Sequence, residues 1–324
     1  MMKAIRIHET GSADVLRYEE VADPIAKPGE IVMRISATGV NFVDTYYRSG
    51  LYKTALPASM GGEAAGSVEA IGEGVSGFTI GDRIGYAMAP LGSYAEKIAL
   101  PADRVVHIPE NVSFEIAAAS MLKGWTARYL LRKTFPVEPG HNIVIHAAAG
   151  GVGQIAVQWA RHLGANIIAV VGNDEKANIA TTLGAHHTII STREDIAKRV
   201  KELTNGEGAD VVFDSVGKDT YEATLNSLKP LGMFVSFGNA SGPLPPINAQ
   251  ILSAKGSLFF TRPGLLAYIR TPQMLRETAD DLFDVIGRGI VKIAQPTIYK
   301  LENAAQAHRD LEGRKTTGSL VLTP

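Results

Sequence analysis

The sequence predicts an α/β protein that combines a β-rich, barrel-like module with a doubly wound parallel sheet. The chain has 324 residues, which is long for a single hydrophobic core and indicates two domains. Roughly the first 120 residues are rich in glycine, proline and short β-like runs. From Ser113 onward, short apolar runs alternate with helical patterns, as they do in βαβ units.

The β-rich module is predicted from runs of apolar and β-branched residues that turn residues interrupt. Such runs are typical of short strands in a compact, barrel-like sheet. The segments are Glu30–Val40, Ala64–Val75, Phe78–Ala89 and Gly92–Pro109.

A helix with Ser113 as its N-cap and Glu115 in its first turn begins the alternating part of the chain. The strand runs that follow are short, continuous and β-branched, as expected for strands covered on both faces. The predicted strands are NIVIHAA, NIIAVVG, HHTIIS, ADVVFDSVG, GMFVSFGN and GSLFFTRP, and the helices between them are Gly153–Leu163, Glu175–Leu183, Asp195–Leu203 and Thr220–Leu228. This order predicts a Rossmann-like domain.

The last part of the chain reads as a helix over Gln273–Arg288, followed by a strand, a helix and a final strand. These pieces have no evident core of their own, so we expect them to fold back onto the β-rich module. The predicted domains are therefore residues 1–124 with 265–324, and residues 125–264.

Composition excludes several classes of function. The net charge is −1, so no basic excess exists to neutralise nucleic-acid phosphates. The sequence shows no apolar run of about 18 residues, and its first residues turn polar at once, so we expect no membrane contact and a cytoplasmic location. Cysteine is absent, which excludes disulfides and thiolate-bound metals. The adjacent His186 and His187 would point to opposite faces of a strand, so we expect no metal site.

The segment Ala148–Gly153 places three glycines where a strand passes into a helix. It matches G-x-G-x-x-G with Ala148 at the first position, within a run of βαβ units. This context predicts a dinucleotide site in which the glycines admit a pyrophosphate. The alternative is a glycine turn needed only for close packing of helix on strand.

The second strand of this domain indicates which dinucleotide binds. It ends in Gly172, where an NAD site usually carries an acidic residue for the ribose hydroxyls. Glycine tolerates a 2′-phosphate, and Lys176 and Arg314 are candidate phosphate ligands. Asp174 is the alternative NAD acid. We expect NADPH.

Motifs along nearly the whole chain resemble the zinc-independent medium-chain dehydrogenases/reductases, and within them the quinone oxidoreductases of the ζ-crystallin type. The motifs are GVNFVDTYYRSGLY (Gly39–Tyr52), GGEAAGSVEAIGEGV (Gly61–Val75), GDRIGY (Gly81–Tyr86), AAASMLKGWTARYLLRKT (Ala117–Thr134), HAAAGGVG (His146–Gly153), DSVG (Asp214–Gly217), SFGNASG (Ser236–Gly242), KGSLFFTRP (Lys255–Pro263) and GRKTTGSLVL (Gly313–Leu322). The resemblance implies a GroES-like catalytic domain with a Rossmann domain.

The resemblance also implies that zinc is absent. The zinc alcohol dehydrogenases of this superfamily carry a cysteine where this chain has Asn41, and a histidine where it has Gly62 before Glu63. Without a Lewis acid to bind an alcoholate, reduction of a good hydride acceptor is favoured over alcohol oxidation.

The NADPH contacts that the resemblance implies lie in both domains. They are Asn41, Phe42, Asp44, Thr45, Tyr46, Lys123, Tyr129, Gly150, Gly151, Val152, Gly172, Asn173, Lys176, Ser191, Ser215, Phe237, Gly238, Asn239, Ser241, Gly242, Thr261, Arg262, Pro263 and Arg314. In this scheme Asn41 lies near the nicotinamide. The family often has a tyrosine at the adenosine phosphate where this chain has Ser191 or Thr192, a departure that weakens phosphate or adenine contacts.

The predicted catalytic residues are Asn41, Tyr46 and Tyr52, as hydrogen-bond donors to the developing quinolate oxygen. Either tyrosine alternatively lines a groove with its hydroxyl in water. Lys123 lies where the domains connect and alternatively pairs with a carboxylate. Asp44 is expected to orient its neighbours rather than to transfer a proton.

The segment SLFFTRP is the last strand of the predicted sheet, and an exposed apolar edge favours pairing with a second chain. We therefore expect a homodimer with GSLFF at its interface. Three functions remain open: an NADPH-dependent reductase of small quinones, a reductase of activated alkenes, and an NADPH-binding protein with little catalysis.

Overall fold

A computed structural model describes residues 1–88, 90–313 and 316–324. Ala89, at the end of a predicted strand segment, and Arg314, a predicted phosphate ligand, lie outside this range, as does Lys315. The described chain forms two compact units. Unit 1 comprises Met1–Lys123, Ile269–Phe283 and Ile293–Pro324, and unit 2 comprises Gly124–Tyr268 and Asp284–Lys292.

The strands are β1 (Met2–Ile7), β2 (Arg17–Val21), β3 (Glu30–Val40), β4 (Ala58–Ser59), β5 (Glu63–Ile71), β6 (Arg83–Ala87), β7 (Lys97–Pro101), β8 (Val106–His107), β9 (Asn142–His146), β10 (Asn166–Val171), β11 (His187–Ile190), β12 (Ala209–Asp214), β13 (Leu228–Ser236), β14 (Phe259–Thr261), β15 (Thr297–Lys300) and β16 (Leu320–Thr323). The helices are α1 (Phe42–Ser49), α2 (Phe114–Tyr129), α3 (Gly151–His162), α4 (Asp174–Thr182), α5 (Ile196–Leu203), α6 (Tyr221–Ser227), α7 (Ala249–Ala254), α8 (Leu265–Tyr268), α9 (Pro272–Gly287) and α10 (Ala304–Glu312).

Unit 1 contains two sheets. One has the order β2–β1–β4, and the other has the order β15–β16–β3–β5–β6–β8, with β7 paired to β3. The β-rich module is thus confirmed, but the larger sheet is open rather than closed into a barrel. The reason is that its edge strands, β15 and β8, are short and pair with no further strand among the described residues.

Unit 2 contains one six-stranded sheet in the order β11–β10–β9–β12–β13–β14, and every neighbouring pair is parallel. This confirms the doubly wound sheet. The chain first adds strands on one side of β9 and then adds β12 on the other side, so the strand order reverses between β9 and β12. Ligands of such sheets bind outside the carboxyl ends of the strands at this position.

Local signals predicted the helix starts well. The Ser113 hydroxyl accepts a hydrogen bond from the Ile116 N–H at 3.2 Å, and α2 begins at the next residue. Asp195 caps α5 by accepting from the Lys198 N–H at 3.0 Å.

In the described part of the chain, no helix is both long and apolar enough to cross a membrane.

Candidate functional site

The glycine-rich turn of unit 2 lies at the carboxyl end of β9, where the strand order reverses. Gly150 is the N-cap of α3 and has no side chain, so the cap residue itself leaves the first N–H groups of that helix without a side-chain acceptor. A Cβ on Gly153 would lie 2.4 Å from the Ala147 carbonyl oxygen. The close approach of helix to strand therefore requires glycine at residue 153, and the helix N-terminus is available for an anion.

The turn after β10 brings together the residues expected at the adenosine ribose. A Cβ on Gly172 would meet no atom within 4 Å, so the backbone is open on this side. Asn173 caps α4 by accepting from the Lys176 N–H at 2.9 Å. The Thr192 hydroxyl donates to the Gly172 carbonyl at 3.1 Å, and the Ser191 hydroxyl donates to the Val171 carbonyl at 3.1 Å. Neither hydroxyl replaces the stacking surface of a tyrosine.

Arg193 is a residue of this region that the sequence did not single out. Its guanidinium donates two hydrogen bonds to the Asp174 carboxylate, at 2.8 and 2.6 Å. Arg193 lowers the pKa of Asp174 below its usual range, chiefly by this hydrogen bonding. The acid that competes with a 2′-phosphate is therefore already paired with a cation.

The loops after β12 and β13 are packed directly against each other. The buried Asp214 carboxylate accepts from the Val216 and Gly217 N–H groups and from two threonine hydroxyls, which fixes the loop that carries Ser215. A Cβ on Gly238 would lie 2.4 Å from the Ser215 carbonyl oxygen. This contact holds the predicted ligand residues Ser215 and Phe237–Gly242 at one edge of the sheet.

The segment after β14 contributes Arg262 to the same edge. Its guanidinium donates to the Ser236 carbonyl at 2.9 Å and, with the Asn239 amide oriented by its partners, to the Asn239 side-chain oxygen at 3.1 Å. Thr261 ends β14, and Pro263 follows Arg262. Tyr129, also in unit 2, stacks on Tyr268 with 4.6 Å between ring centroids.

In unit 1, Asn41 begins α1 at the end of β3. Its backbone N–H donates to Asp44 Oδ2 at 2.8 Å, and its side-chain Nδ2 donates to Glu63 Oε2 at 2.8 Å. Thr45 is also buried in α1, and its hydroxyl donates to the Phe42 carbonyl at 2.7 Å. Asp44 thus holds the Asn41 backbone by a hydrogen bond.

Glu63 and Lys123 form a buried ion pair beside Asn41. Lys123 Nζ lies 3.9 Å from Glu63 Oε2, and Glu63 Oε1 accepts from the Leu122 N–H at 2.6 Å. Burial raises the pKa of Glu63, while the Lys123 charge opposes that shift. Burial also lowers the pKa of Lys123. Of the two alternatives for Lys123, pairing with a carboxylate is thus present in unit 1.

A chain of buried hydrogen bonds continues from Asp44 to α10. The Tyr94 hydroxyl donates to Asp44 Oδ2 at 2.9 Å and lies 3.1 Å from His308 Nε2. Arg48 lies 3.0 Å from His308 Nδ1 and forms two hydrogen bonds with the Glu312 carboxylate. Burial lowers the pKa of His308 to about 3, so the ring is neutral. Because Arg48 can only donate, Nδ1 is the acceptor and Nε2 carries the proton.

The predicted catalytic tyrosines lie in an aromatic cluster of unit 1. The Tyr52 ring meets Tyr46 edge-on at 5.2 Å between centroids and Tyr47 at 5.6 Å. Tyr46 is buried and Tyr52 is half-buried. The cluster offers apolar ring surface together with phenolic hydroxyls.

Sequence reasoning missed Tyr94, His308, Arg48 and Arg193. A signal existed for Glu63, which stands in the GGEAAG motif, but its role depends on Asn41 and Lys123 lying close in space. The residue pairs Asp44–Tyr94 and Tyr94–His308 are separated by 50 and 214 positions, so no local pattern reveals them.

Comparison with known proteins identifies the family. Residues 27–110 match the family described as "Alcohol dehydrogenase GroES-like domain", and residues 151–280 match "Zinc-binding dehydrogenase". The chain is 49% identical to a quinone oxidoreductase of Pseudomonas aeruginosa and 43% identical to a 2-haloacrylate reductase of a Burkholderia species. It is covered completely in both cases, and it covers 100% and 99% of those proteins.

A solved structure gives the same result. The chain superimposes on the quinone oxidoreductase of Escherichia coli in complex with NADPH with a TM-score of 0.97 and 45% sequence identity, covering 99% of this chain and 100% of that one. Among the described residues, no three histidine or acidic side chains come together as metal ligands, so the donor set does not fit a zinc ion. The chain belongs to the quinone oxidoreductase family of the medium-chain dehydrogenases/reductases.

Proposed function

We propose that this protein is an NADPH-dependent quinone oxidoreductase that transfers hydride without a metal. The observation that carries the proposal is the α3 N-terminus, which has glycine as its cap and lies where the strand order reverses. Relatives at 45–49% identity over their full length are named quinone oxidoreductases, and the Escherichia coli enzyme was solved with NADPH. The cofactor of this chain is NADPH.

The residues of unit 2 account for cofactor binding. The N–H groups at the start of α3 would hold the pyrophosphate, with Gly150, Gly151 and Val152 forming the turn. Gly172, Asn173 and Lys176 would hold the adenosine ribose and its phosphate, with Arg314 as a further proposed ligand. We propose that the other predicted contacts at the carboxyl edge, Ser191, Ser215, Phe237–Gly242 and Thr261–Pro263, together with Tyr129, complete the cofactor site.

The residues of unit 1 account for the substrate step. NADPH supplies the hydride when bound. Asn41, Tyr46 and Tyr52 would donate hydrogen bonds to the oxygen on which negative charge develops, and the aromatic cluster would contact the flat quinone ring. Phe42, Asp44, Thr45 and Lys123 are assigned to the nicotinamide end of the cofactor.

An activated alkene is the second candidate substrate. The 2-haloacrylate reductase of a Burkholderia species is 43% identical to this chain and is covered over 99% of its length. Reduction of an alkene uses the same hydride donor but requires a proton at carbon, whereas a quinone accepts its proton at oxygen.

Three further points belong to the proposal. A homodimer joined at β14 is supported by the position of this strand at the sheet edge and by Phe259, which is 56% exposed.

We also propose a cytoplasmic location, where an NADPH pool is available. Cell fractionation tests this location. The domain boundaries expected at residues 124 and 264 stay a prediction that limited proteolysis tests.

Steady-state oxidation of NADPH and NADH tests the proposed function. The acceptors are 1,4-benzoquinone, 9,10-phenanthrenequinone and a series of 2-alkenals. NADPH-selective turnover with quinones alone is the expected result. Turnover with alkenals would favour the alkene reductase, and tight NADPH binding without turnover would favour a binding protein.

A further inference from the structure

Gln154 holds two consecutive carbonyl groups of the glycine-rich turn. Its backbone N–H donates to the Gly150 carbonyl at 2.9 Å, and its side-chain Nε2 donates to the Ala149 carbonyl at 2.9 Å. The second bond reaches back over five residues, from the first turn of α3 to the segment before the helix cap. The Gln154 amide therefore fixes the orientation of a peptide group in the turn.

The direction of this side-chain bond is unusual for a helix start. A helix begins with N–H groups that lack an intrahelical acceptor, and a side chain near the start normally supplies one. The starts of α4 and α5 follow this rule, because the Asn173 and Asp195 side chains accept from N–H groups of the first helical turn. Gln154 instead donates its amide hydrogen to a turn carbonyl. This bond uses none of the N–H groups at the start of α3.

The backbone of the turn is strained and only partly held by its own hydrogen bonds. Ala147 has a φ of +50°, a left-handed conformation that residues with a Cβ rarely adopt. The Gly150 N–H donates to the Ala147 carbonyl at 2.8 Å, and the Ala148 N–H donates to β10 at 3.3 Å. The Ala149 carbonyl takes part in neither bond and accepts from the Gln154 side chain instead. Gln154 thus completes the set of bonds that defines the turn.

An anion at the start of α3 is sensitive to the direction of the Ala149 carbonyl. N–H groups at a helix start attract an anion, whereas a carbonyl oxygen carries partial negative charge and repels it. A hydrogen-bond donor on the Ala149 oxygen offsets part of that charge. It also prevents this peptide group from rotating until its oxygen faces the anion.

We propose that Gln154 is a positioning residue of the pyrophosphate site, whose side-chain amide holds the Ala149 carbonyl so that the turn presents N–H groups rather than carbonyl oxygens to the anion. The inference rests on the proposed function, which assigns the pyrophosphate to the start of α3. It goes further because Gln154 is not among the predicted cofactor contacts. Its part is to prepare the turn for the ligand.

The test compares NADPH with adenosine 2′-monophosphate, which has the adenine, the ribose and the 2′-phosphate but lacks the pyrophosphate. Isothermal titration calorimetry measures the Kd of NADPH, and competition against NADPH gives the Kd of the nucleotide. Gln154→Met keeps an unbranched side chain of similar length but has no donor. It should raise the Kd of NADPH about fivefold, as loss of one neutral hydrogen bond does, and leave the Kd of the nucleotide unchanged.

A second variant keeps the shape of the side chain and changes only its hydrogen bonding. Gln154→Glu places a carboxylate, which cannot donate, beside the Ala149 carbonyl and near the pyrophosphate. It should raise the Kd of NADPH about tenfold or more and again leave the nucleotide unaffected. This variant also decides the question if Gln154→Met does not fold, which thermal unfolding of each variant checks.

Gln306→Met is the matched control, because it is the same substitution in a helix of unit 1. The Gln306 Nε2 donates to Asp310 at 3.0 Å, so this variant also loses a side-chain hydrogen bond. It should bind both ligands as the wild type does. An unchanged Kd of NADPH in the Gln154 variants would overturn the inference. A rise by the same factor for both ligands would overturn it as well, because that result indicates general structural damage.

Binding and turnover separate this inference from the proposed function. The expected pattern of Kd values in a protein without quinone turnover would overturn the function and leave the inference standing. A wild-type protein that binds NADPH no more tightly than the nucleotide would show that the turn does not hold the pyrophosphate. That result would overturn the inference, while quinone turnover would still decide the function.

Discussion

The polar residues of unit 1 combine burial with charge at several adjacent positions. Asp44, Glu63 and Arg48 are each at most 3% exposed, and Lys123 is 6% exposed. Removing such groups from water costs free energy that hydrogen bonds and ion pairs return only in part. Apolar side chains of equal volume would stabilise the unit at least as well.

The ionisation of Asp44 should make stability depend on pH in an unusual direction. Burial raises the pKa of Asp44 to about 7, above its unfolded value of 3.8. Between these values the folded protein holds a proton that the unfolded chain has released, so stability falls as pH rises and the full loss is reached above pH 7. Asp44→Asn keeps an acceptor for Asn41 and Tyr94 but cannot ionise. We compare the free energies of unfolding of the variant and the wild type in guanidinium at pH 5 and pH 8. The wild type should lose about 2–3 kcal/mol more than Asp44→Asn over this range.

Asp82→Asn is the matched control for that experiment. Asp82 is half-buried and accepts from the Thr79 N–H and hydroxyl at 2.7 and 2.8 Å, which lowers its pKa. A carboxyl group with a lowered pKa stabilises the folded state at every pH above its unfolded pKa. The contribution of Asp82 to the free energy of unfolding is therefore equal at pH 5 and pH 8. A constant difference between Asp44→Asn and the wild type over the same range would mean that Asp44 is not titrating there.

The paired Asp174 and Arg193 should control the choice between NADPH and NADH. Removing the guanidinium leaves an unpaired carboxylate in the helix turn that also carries Lys176, where it would repel a 2′-phosphate. Arg193→Ala is expected to raise the KM for NADPH about fivefold and to change the KM for NADH far less. Asp174→Ala should not raise the KM for NADPH. Arg199→Ala removes a half-buried arginine that pairs with Glu194 and Glu202 instead, and it should leave the ratio of the two KM values unchanged.

At the scale of elements, the β9–turn–α3 unit determines where a dinucleotide binds. Gly153→Ala places a Cβ 2.4 Å from the Ala147 carbonyl oxygen and 2.6 Å from Ala148 Cα, both of them backbone atoms that move only with the strand. We expect a loss of about 1–3 kcal/mol of stability together with weakened NADPH binding. Thermal unfolding and isothermal titration calorimetry measure the two effects.

Gly287→Ala is the control for the glycine turn. A Cβ there meets no atom within 4 Å, and the residue ends α9. Its stability should stay within about 1 kcal/mol of the wild type. If Gly153→Ala behaved like Gly287→Ala, the close approach of α3 to β9 would not require glycine.

The edge strand β14 should determine the oligomeric state. Phe259 is exposed on a three-residue strand that pairs only with β13 among the described residues. Phe259→Lys places a charge on this edge, and charges discourage pairing of edge strands. Light scattering after size exclusion should show a dimer for the wild type and a monomer for the variant. A wild-type monomer, or a variant that remains dimeric, would contradict the proposed interface.

The elements differ in how far the sequence predicts them. The β9 to α6 alternation follows from short apolar runs and caps, and Asp195 and Ser113 mark helix starts correctly. The sheet formed by β1, β2 and β4 was not predicted, since β4 has two residues and no periodicity. For the site, the glycine turn is local and was predicted. The Lys123–Glu63–Asn41 cluster arises from three separate elements, so only the tertiary structure reveals it.

At the scale of the whole molecule, unit 2 carries both tryptophans, and this allows the contribution of each unit to cofactor binding to be measured. Trp125 and Trp159 lie within Gly124–Tyr268, so tryptophan fluorescence follows unfolding of unit 2, whereas circular dichroism follows both units. A ligand that binds only the folded state stabilises it by about 2.7 kcal/mol at a hundred times its Kd.

We expect NADPH at that concentration to move the transitions seen by both probes, because the proposed contacts include Asn41 and Tyr46 of unit 1 as well as the loops of unit 2. Unphosphorylated NADH at the same concentration is the control, and it should move both transitions less. Part of the dichroism transition comes from unit 1 and is not followed by fluorescence. If NADPH shifted the fluorescence transition but not this part, NADPH binding would be assigned to unit 2 alone. Asn41 would then have no part in holding the cofactor.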